Sequence, residues 1–469
     1  MIQKTSTVFF LFFIIILEGY VVLSTELLAI RQSIPFTGSG TETVSVIIAA
    51  VLMPLALGYH AGGSFKPRAG FGVRKKLILN ILIAMVFLIP GLSYIIISDL
   101  YNASIEHGLK HRLIHVTLYS LLFIVTPVYL LGQTIPLISN YFGKEKLSRI
   151  TGRILFFSTI GSFLGATLST LVLMSHLGVD VTVGLNFIIL TALVVLLSKD
   201  KFSHVVKVAL FLGLVGVVLN SGWLTRKAGI IQSNQYNTIA VLNKNGQRHL
   251  LLNNSYSSMY SDTGRKYTYL EMAEKLALDD LWNAHPPKDV LVIGAGAFTF
   301  GHEDEINHYD YVDIDKNLKE VAEDYILKEK IKEYKSFYPM PARAFLAQTD
   351  KKYDVVFLDT YSGRLTLPEH LITLDFFQEI KAHLKDDAVL ITNFVGSPNF
   401  LDPFSRTLDN TMRAAFPYVN RHVGHDLYEP WNRDEEKIRN IMYIYRHQSG
   451  LEEPSIYTDN KNRAFLDKP

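Results

Sequence analysis

Seven uninterrupted apolar stretches fill the first 228 residues of this 469-residue chain, and nothing else in the sequence restricts the fold as strongly. They lie near Thr7 to Ile30, Val44 to His60, Leu77 to Ile97, Leu113 to Leu137, Ile154 to Met174, Val181 to Leu197 and Val205 to Leu219. A bilayer core about 30 Å thick takes about 20 helical residues to cross, and each stretch approaches or exceeds that length. A cleaved leader does not account for the first: it is too long, carries Glu18 and Glu26, and lacks a small-residue cleavage site. Residues 1–228 are therefore expected to form a multi-pass α-helical domain in a lipid bilayer, the cell (inner) membrane.

Charge divides the chain at the same place. Residues 1–228 carry 18 Lys/Arg and 8 Asp/Glu, whereas residues 229–469 carry 28 and 36. The first part is sparsely charged and net +10, and the second is a water-soluble domain of net −8. Lys4 and the connections around Lys66–Lys76, Lys144–Arg153 and Lys199–Lys207 hold 13 basic residues on one face, against 5 on the other. Basic loops mark the cytoplasmic side, so seven crossings put the second part outside, away from any nucleotide supply. Within the spans, Gly161-Ser-Phe-Leu-Gly165 permits close helix packing. Glu18 sits mid-span, where a carboxylate is either held by a neighbouring helix or functional. Gln133 and Pro136 invite the same two explanations. The chain has no cysteine, which removes disulfides, thiolate metal sites and a Cys nucleophile.

Past Ala228 the pattern becomes that of a small β unit, residues 229–285. Thr238–Leu242 and Gln247–Leu252 flank Asn245-Gly246, a hairpin signal, and a helix is expected over Tyr267–Asn283, stopped at Pro286-Pro287. An α/β nucleotide-binding domain follows over residues 286–450. The apolar strand Asp289–Ile293 runs into Gly294-Ala-Gly296, where Gly294 permits a tight turn and Gly296 removes a side chain that would block a ligand. Nineteen residues after Gly294, the strand Tyr311–Asp315 ends in acids, and Asp313 stands where a ribose's hydroxyls can be bound. Strands Tyr353–Asp359 and Ala388–Asn393, separated by a helix over Thr373–Leu384, predict a parallel sheet with helices on both faces. The loop Asp359–Pro368 is then expected to line the pocket. The polar tail, residues 451–469, is expected to fray.

This order of segments resembles the polyamine aminopropyltransferase (spermidine synthase) family, and more closely its membrane-fused bacterial members. The resemblance rests on Gln235-Tyr236, Leu250–Asn254, Tyr269-Leu-Glu271-Met272, Val292–Gly296, Val312–Asp315, Ala342–Leu346, Pro368–Phe377 and Phe416-Pro417. It implies a Rossmann-like fold of the class I methyltransferase type. It also implies transfer of an aminopropyl group from decarboxylated S-adenosylmethionine to a polyamine, without a metal. By the same resemblance Gly294, Gly296, Asp313 and Ala342 hold the adenosyl donor, Tyr236, Asp262, Tyr269 and Glu271 contribute to the amine site, and Asp359 takes the proton. The soluble relatives commonly dimerise, so a homodimer is implied too. Three positions depart from the family pattern. Ser362 stands at the usual catalytic Asp, Ala297 at an Asp near the donor's amine, and Pro341 at an Asp that contacts adenine. Each change deletes an interaction worth about 1.5–3 kcal/mol.

Two other functions fit the same residues. One is a methyltransferase using intact S-adenosylmethionine, for which the glycine loop and Asp313 serve equally. The other is a catalytically inactive sensing or interaction domain coupled to the bundle. Nucleic acid is excluded as a partner by the acidic second half and the lack of a basic patch interleaved with aromatics. No His spacing suits a metal, and His302 and His308 read as loop residues.

Overall fold

The computed structural model describes residues 5–109, 111–139, 147–278, 287–361, 367–416, 419–423, 439–445, 457–460 and 464. It divides into two compact units, Met1–Thr238 and Ile239–Pro469.

In the first unit, six helices are long and apolar enough to cross a membrane: Phe9–Thr37, Thr41–Gly63, Arg112–Ser139, Ile150–Met174, Val179–Leu197 and His204–Lys227. The expected span Leu77–Ile97 is instead two helices, Val73–Gly91 and Tyr94–Glu106, bent by 65°. A break exposes carbonyls that apolar surroundings cannot satisfy, so side chains must reach them. Tyr119 donates its hydroxyl to Gly91 O at 2.8 Å, and Gln32 donates its amide to Leu92 O at 2.9 Å. Counting the bent pair as one span gives up to seven candidate spans among the described residues. The Gly161–Gly165 motif packs as its spacing suggests. A Cβ at either glycine would run into the carbonyls of Ile16 and Tyr20, so the helices meet backbone to backbone.

The division between the units falls at Thr238, ten residues beyond Ala228, and the strand β1 (Ile230–Ser233) and the turn after it lie in the first unit. Buried Arg31 donates to Asn234 O at 2.5 Å and to Thr238 Oγ1 at 3.0 Å. This guanidinium fixes the turn that sequence alone places in the soluble half.

The second unit opens with an antiparallel meander, β2 (Thr238–Lys244), β3 (Gln247–Leu252) and β4 (Ser255–Ser261). Asn245 and Gly246 have φ of 53° and 75°, and Asn253 and Asn254 of 49° and 61°. Two central residues with positive φ match the twist of the paired strands, which is why Asn-Gly and Asn-Asn stand there. The helix that follows covers Thr268–Leu278; the rest of its expected length and Pro286 fall outside the described residues.

A second sheet is built from β5 (Asp289–Ile293), β6 (His308–Asp313), β7 (Lys335–Pro339), β8 (Tyr353–Leu358), β9 (Leu384–Gly396), β10 (Val419–Val423) and β11 (Arg439–Tyr445). Its order is β10-β11-β9-β8-β5-β6-β7. The five strands from β9 to β7 are parallel, and β11 and β10 add antiparallel, so the sheet is mixed where a parallel one was expected. Strands at its centre, such as Val290–Ile293 and Val355–Leu358, are buried throughout, in keeping with apolar runs that do not alternate. Side chains start the later helices: Thr373 accepts from Phe376 N at 3.3 Å, and Asp402 from Ser405 N at 2.7 Å.

The tail is not frayed over its described part. Tyr457 is 2% exposed, donates its N–H to Thr411 Oγ1 and accepts Leu374 N, both at 2.8 Å. Asp459 takes both terminal nitrogens of Arg343 at 2.6 and 3.0 Å and the Thr373 hydroxyl at 2.7 Å. A polar composition suggested fraying, but these polar groups have fixed partners. The Arg343 guanidinium holds the Asp459 carboxyl below its ordinary range. That stability is present above the unfolded carboxyl pKa and is lost as pH falls through the lowered folded value. Asp459→Asn is expected to lower stability at pH 7 by about 1 kcal/mol, as for a partly exposed bidentate pair, with the difference vanishing in acid. Denaturant unfolding of both proteins at pH 7 and pH 3 checks it, and equal stability at pH 7 would contradict it.

Candidate functional site

Parallel strands place their ends, and the loops beyond them, along one edge of a sheet. The order of the second sheet reverses between β5 and β8, whose connections lead to opposite sides, and it is at such a reversal that α/β sheets bind ligands. Gly294 follows β5 and Asp359 follows β8. They are locked together: Asp359 N donates to Ile293 O at 2.9 Å, and a Cβ on Gly294 would overlap the Asp359 carbonyl. With φ of +92°, Gly294 is in a region closed to other residues as well as in a space closed to a side chain.

Gly296 answers to a different neighbour from the one its motif suggests. Its missing Cβ leaves room for Ser258 of β4, whose hydroxyl accepts Ala297 N at 3.0 Å. The meander thereby holds the glycine loop, and Ala297, where the family pattern has an acid, is buried. The loop's other end carries Phe298 at φ +58°, an uncommon conformation for an aromatic residue, held by Phe298 N to Ala295 O at 2.8 Å and by ring contacts with Tyr311 and Phe337.

Asp313 ends β6 and turns its carboxylate to the same loop. Oδ2 accepts Ala295 N at 3.0 Å and Oδ1 accepts Asp315 N at 3.1 Å. The backbone N–H of Ile314 is a third donor to it, so of a carboxylate's roughly four lone-pair sites about one remains for a hydroxyl group. Desolvation raises this carboxyl to about 6, with the Asp315 charge adding and the backbone donors opposing.

Asp359 is held by two side chains. Tyr269 donates its hydroxyl to Oδ2 at 2.9 Å, and Asn393 donates its amide to Oδ1 at 3.0 Å. Desolvation raises Asp359 to about 6, while Asn393 and Tyr269 favour the ionised form. Asn393 is 3% exposed, and its own Oδ1 has no hydrogen-bond partner among the described residues. Buried polar atoms are normally satisfied, so this open acceptor on the residue that holds the carboxylate suits a ligand that donates hydrogen bonds. Sequence reasoning assigned Asn393 only to a strand end. Its signal was the polar residue closing the apolar run Val389–Thr392 on a strand whose end faces the crevice.

Of the other expected site residues, Ala342 opens the helix Ala342–Gln348, three positions beyond Pro339, the residue paired with Asp313. Pro341 precedes it as the residue that starts that helix, with Phe345 N donating to its carbonyl at 3.0 Å. Two amine-site residues of the second unit, Glu271 and Asp262, have partners other than Asp359. Glu271 accepts Lys266 N at 3.1 Å, fixing the start of its own helix. Asp262 is largely exposed and paired with Arg248 beside the Asn245-Gly246 turn; with a rise of about 3.3 Å per residue, it lies well along the strand from Ser258. Tyr236 belongs to the first unit, its N–H donated to Asn234 Oδ1 at 2.8 Å. Ser362 and Pro417 lie outside the described residues.

Residues 269–424 match the model of the spermine/spermidine synthase domain. The chain is similar to a polyamine aminopropyltransferase of Oceanobacillus iheyensis, with 24% identity over 457 residues, 86% of each chain. It is 27% identical to a polyamine aminopropyltransferase of Vibrio vulnificus over 155 residues, which is 32% of this chain and about half (51%) of that one. Among solved structures, spermidine synthase from Thermotoga maritima aligns with 17% identity and a TM-score of 0.34, over 49% of this chain and 81% of that one. A SAM-dependent methyltransferase from Agrobacterium tumefaciens aligns with 12% identity and a TM-score of 0.30, over 45% and 70%. The part of the chain that holds Asp313 and Asp359 is thus similar to the spermine/spermidine synthase domain.

Proposed function

We propose that this chain is a membrane-anchored aminopropyltransferase, moving an aminopropyl group from decarboxylated S-adenosylmethionine to an amine. The observation that carries this reading is the Asp359 carboxylate, oriented by Tyr269 and Asn393 at the strand ends where the Gly294 loop and Asp313 also converge. The family's coarse activity, transfer between an adenosyl donor and an amine, is the starting point. Asp313 would take a ribose hydroxyl with its remaining acceptor site, and Gly294, Gly296 and Ala342 would line the nucleoside's course.

The reaction is a displacement at carbon. The acceptor's amine nitrogen forms a bond to the donor's aminopropyl carbon, the carbon–sulfur bond breaks, and its electron pair neutralises the sulfonium. Methylthioadenosine leaves, and the proton lost by the new secondary ammonium goes to Asp359. Positioning supplies much of such a rate, because two reactants are held in line. Tyr269 and Asn393 aim the carboxylate, and the open Oδ1 of Asn393 offers the amine a second acceptor. A base with a pKa of about 6 is better matched to neutral pH than an ordinary Asp. Tyr236, Asp262 and Glu271 have no part in this proton transfer.

A methyltransferase using intact S-adenosylmethionine remains the second reading. One observation favours it: the loop position held by buried Ala297 carries no acid that would repel the carboxylate of the intact donor. Titration with both nucleosides separates the two, since methyl transfer requires the carboxylated form to bind more tightly.

Incubation of the full-length protein with decarboxylated donor and a diamine is expected to release methylthioadenosine. Asp359→Asn is expected to lower kcat at least 100-fold, in line with loss of a general base. Turnover unchanged in that variant removes Asp359 from the proton transfer. The value of kcat/KM is expected to fall about tenfold per pH unit below about 6, as Asp359 is protonated. Tyr269→Phe deletes a donor that favours the ionised form, so its acid limb moves to higher pH. An unmoved limb contradicts that coupling. The donor is made in the cytoplasm, so a reporter fused after Pro469 is expected to be cytoplasmic. An exterior reporter, as seven crossings with basic loops inside imply, overturns the transferase reading.

A further inference from the structure

The connection between β5 and β6 carries no helix. Residues 294–307, all described, form only turns and bends, although parallel neighbours in an α/β sheet are usually joined through a helix. A helix satisfies its own backbone, whereas turns leave N–H and C=O groups that other side chains must meet. Here they are met from outside. Glu274 on the helix Thr268–Leu278 accepts Gly301 N at 2.7 Å, and Lys335 at the start of β7 donates to Gly301 O at 2.7 Å and to His302 O at 2.6 Å. Tyr311 donates to Phe300 O at 2.7 Å, and Asp304 accepts Ile306 N at 2.8 Å, Asn307 N at 3.2 Å and the Tyr309 hydroxyl at 2.6 Å.

Lys335 is buried, and Glu274 is also held by the buried Lys266, whose Nζ donates to the same Oε1 at 2.6 Å. Buried ion pairs are a poor source of stability, so three charged side chains around one glycine call for another explanation. Burial pushes the Lys335 ammonium down to about 8, yet a neutral amine keeps two N–H groups, one for each carbonyl, so the clamp survives loss of its charge. What it holds is the far end of the glycine loop. Gly301 has φ of +69°, with the Tyr309 ring where a side chain would be, and Phe300 stacks on Phe357 of β8 at 4.2 Å. Between that anchor and Gly294 lies Phe298 at φ +58°, and a residue in such a conformation stays there only where its surroundings over-determine it.

We infer that Glu274 and Lys335 are positioning residues for the adenosyl donor: gripping Gly301 by its N–H and its C=O, they fix the glycine loop in the shape that a nucleoside meets. The donor part of this inference rests on the function proposed above; the grip on the loop does not. Both residues act through the loop, so donor binding depends on them. Proton transfer does not, because Asp359 is held separately by Tyr269 and Asn393.

The test compares two double variants of the full-length chain that both lack the buried ion pair: Lys266→Met with Glu274→Gln, and Lys266→Met with Glu274→Leu. Only the glutamine variant keeps an acceptor for Gly301 N. Amide hydrogen exchange over residues 294–301 is expected to be about tenfold faster in the leucine variant, with β8 and β9 unchanged. Calorimetric titration with methylthioadenosine is expected to show about tenfold weaker binding in the leucine variant, and the glutamine variant within about threefold of the parent. In turnover, KM for the decarboxylated donor rises in step, while kcat and the KM for 1,4-diaminobutane stay within about twofold. A merely structural role lowers the active fraction instead, so a fallen kcat with an unmoved donor KM overturns the inference, as does equal exchange in the two variants. Since the leucine variant can fail to fold, Lys335→Met, which strips the other side of Gly301, provides a second route to the same expected changes. If the parent binds no methylthioadenosine, the transferase reading fails, and faster exchange in the leucine variant still upholds the grip on the loop.

Discussion

Everything at the crevice depends on how closely two backbone segments meet at Gly294. Its amide donates to Val312 O at 2.9 Å, its φ of +92° turns the chain sharply off β5, and the Asp359 carbonyl fills the space a side chain would need. One residue therefore brings the ends of β5, β6 and β8 into register. The Asp313 carboxylate reaches the loop only because the loop turns back over β6, and Asp359 is set beside it by its own bond to Ile293 O. Two carboxyls, each raised to about 6, then share one edge of the sheet without an ion-pair partner among the described residues. Such groups are kept where ligands supply what the protein withholds.

The meander has a more active part than its small size suggests. Ser258 caps Ala297 N, and Tyr269, just after the meander, donates to both Ser257 O and Asp359. It thus holds the glycine loop on one side and the Asp359 carboxylate on the other. On the sheet's other flank, the described tail residues secure Arg343 and Thr373, which start the helices beyond β7 and beyond the Asp359 loop. Loops at a ligand crevice are commonly the least stable parts of a fold, and here each is tied to a neighbouring element.

Local chemistry decided what could be read from residues alone. Turns were legible because Asn245-Gly246 and Gly294 require backbone conformations that few residues adopt. The apolar strands were legible because burial on both faces leaves no alternation. Asp313 and Asp359 stood out as acids ending such strands, and Tyr269 through the segment that resembles the family. Roles set by distant partners were not legible. Arg31 moves the unit boundary to Thr238 through contacts about 200 residues away. Asp262 finds Arg248, and Asp459 finds Arg343, across separations no periodicity reports. The bend near Gly91 was hidden because Tyr119 and Gln32, remote in sequence, satisfy the carbonyls that make it tolerable.

The central claim is that the crevice under Gly294 accepts an adenosine moiety whose sugar is held by Asp313. Calorimetric titration of the full-length protein with methylthioadenosine tests it most directly, because binding is read without turnover. The account predicts one site per chain, weakened at least tenfold in Asp313→Asn. Absence of binding, or the same affinity in that variant, would contradict it.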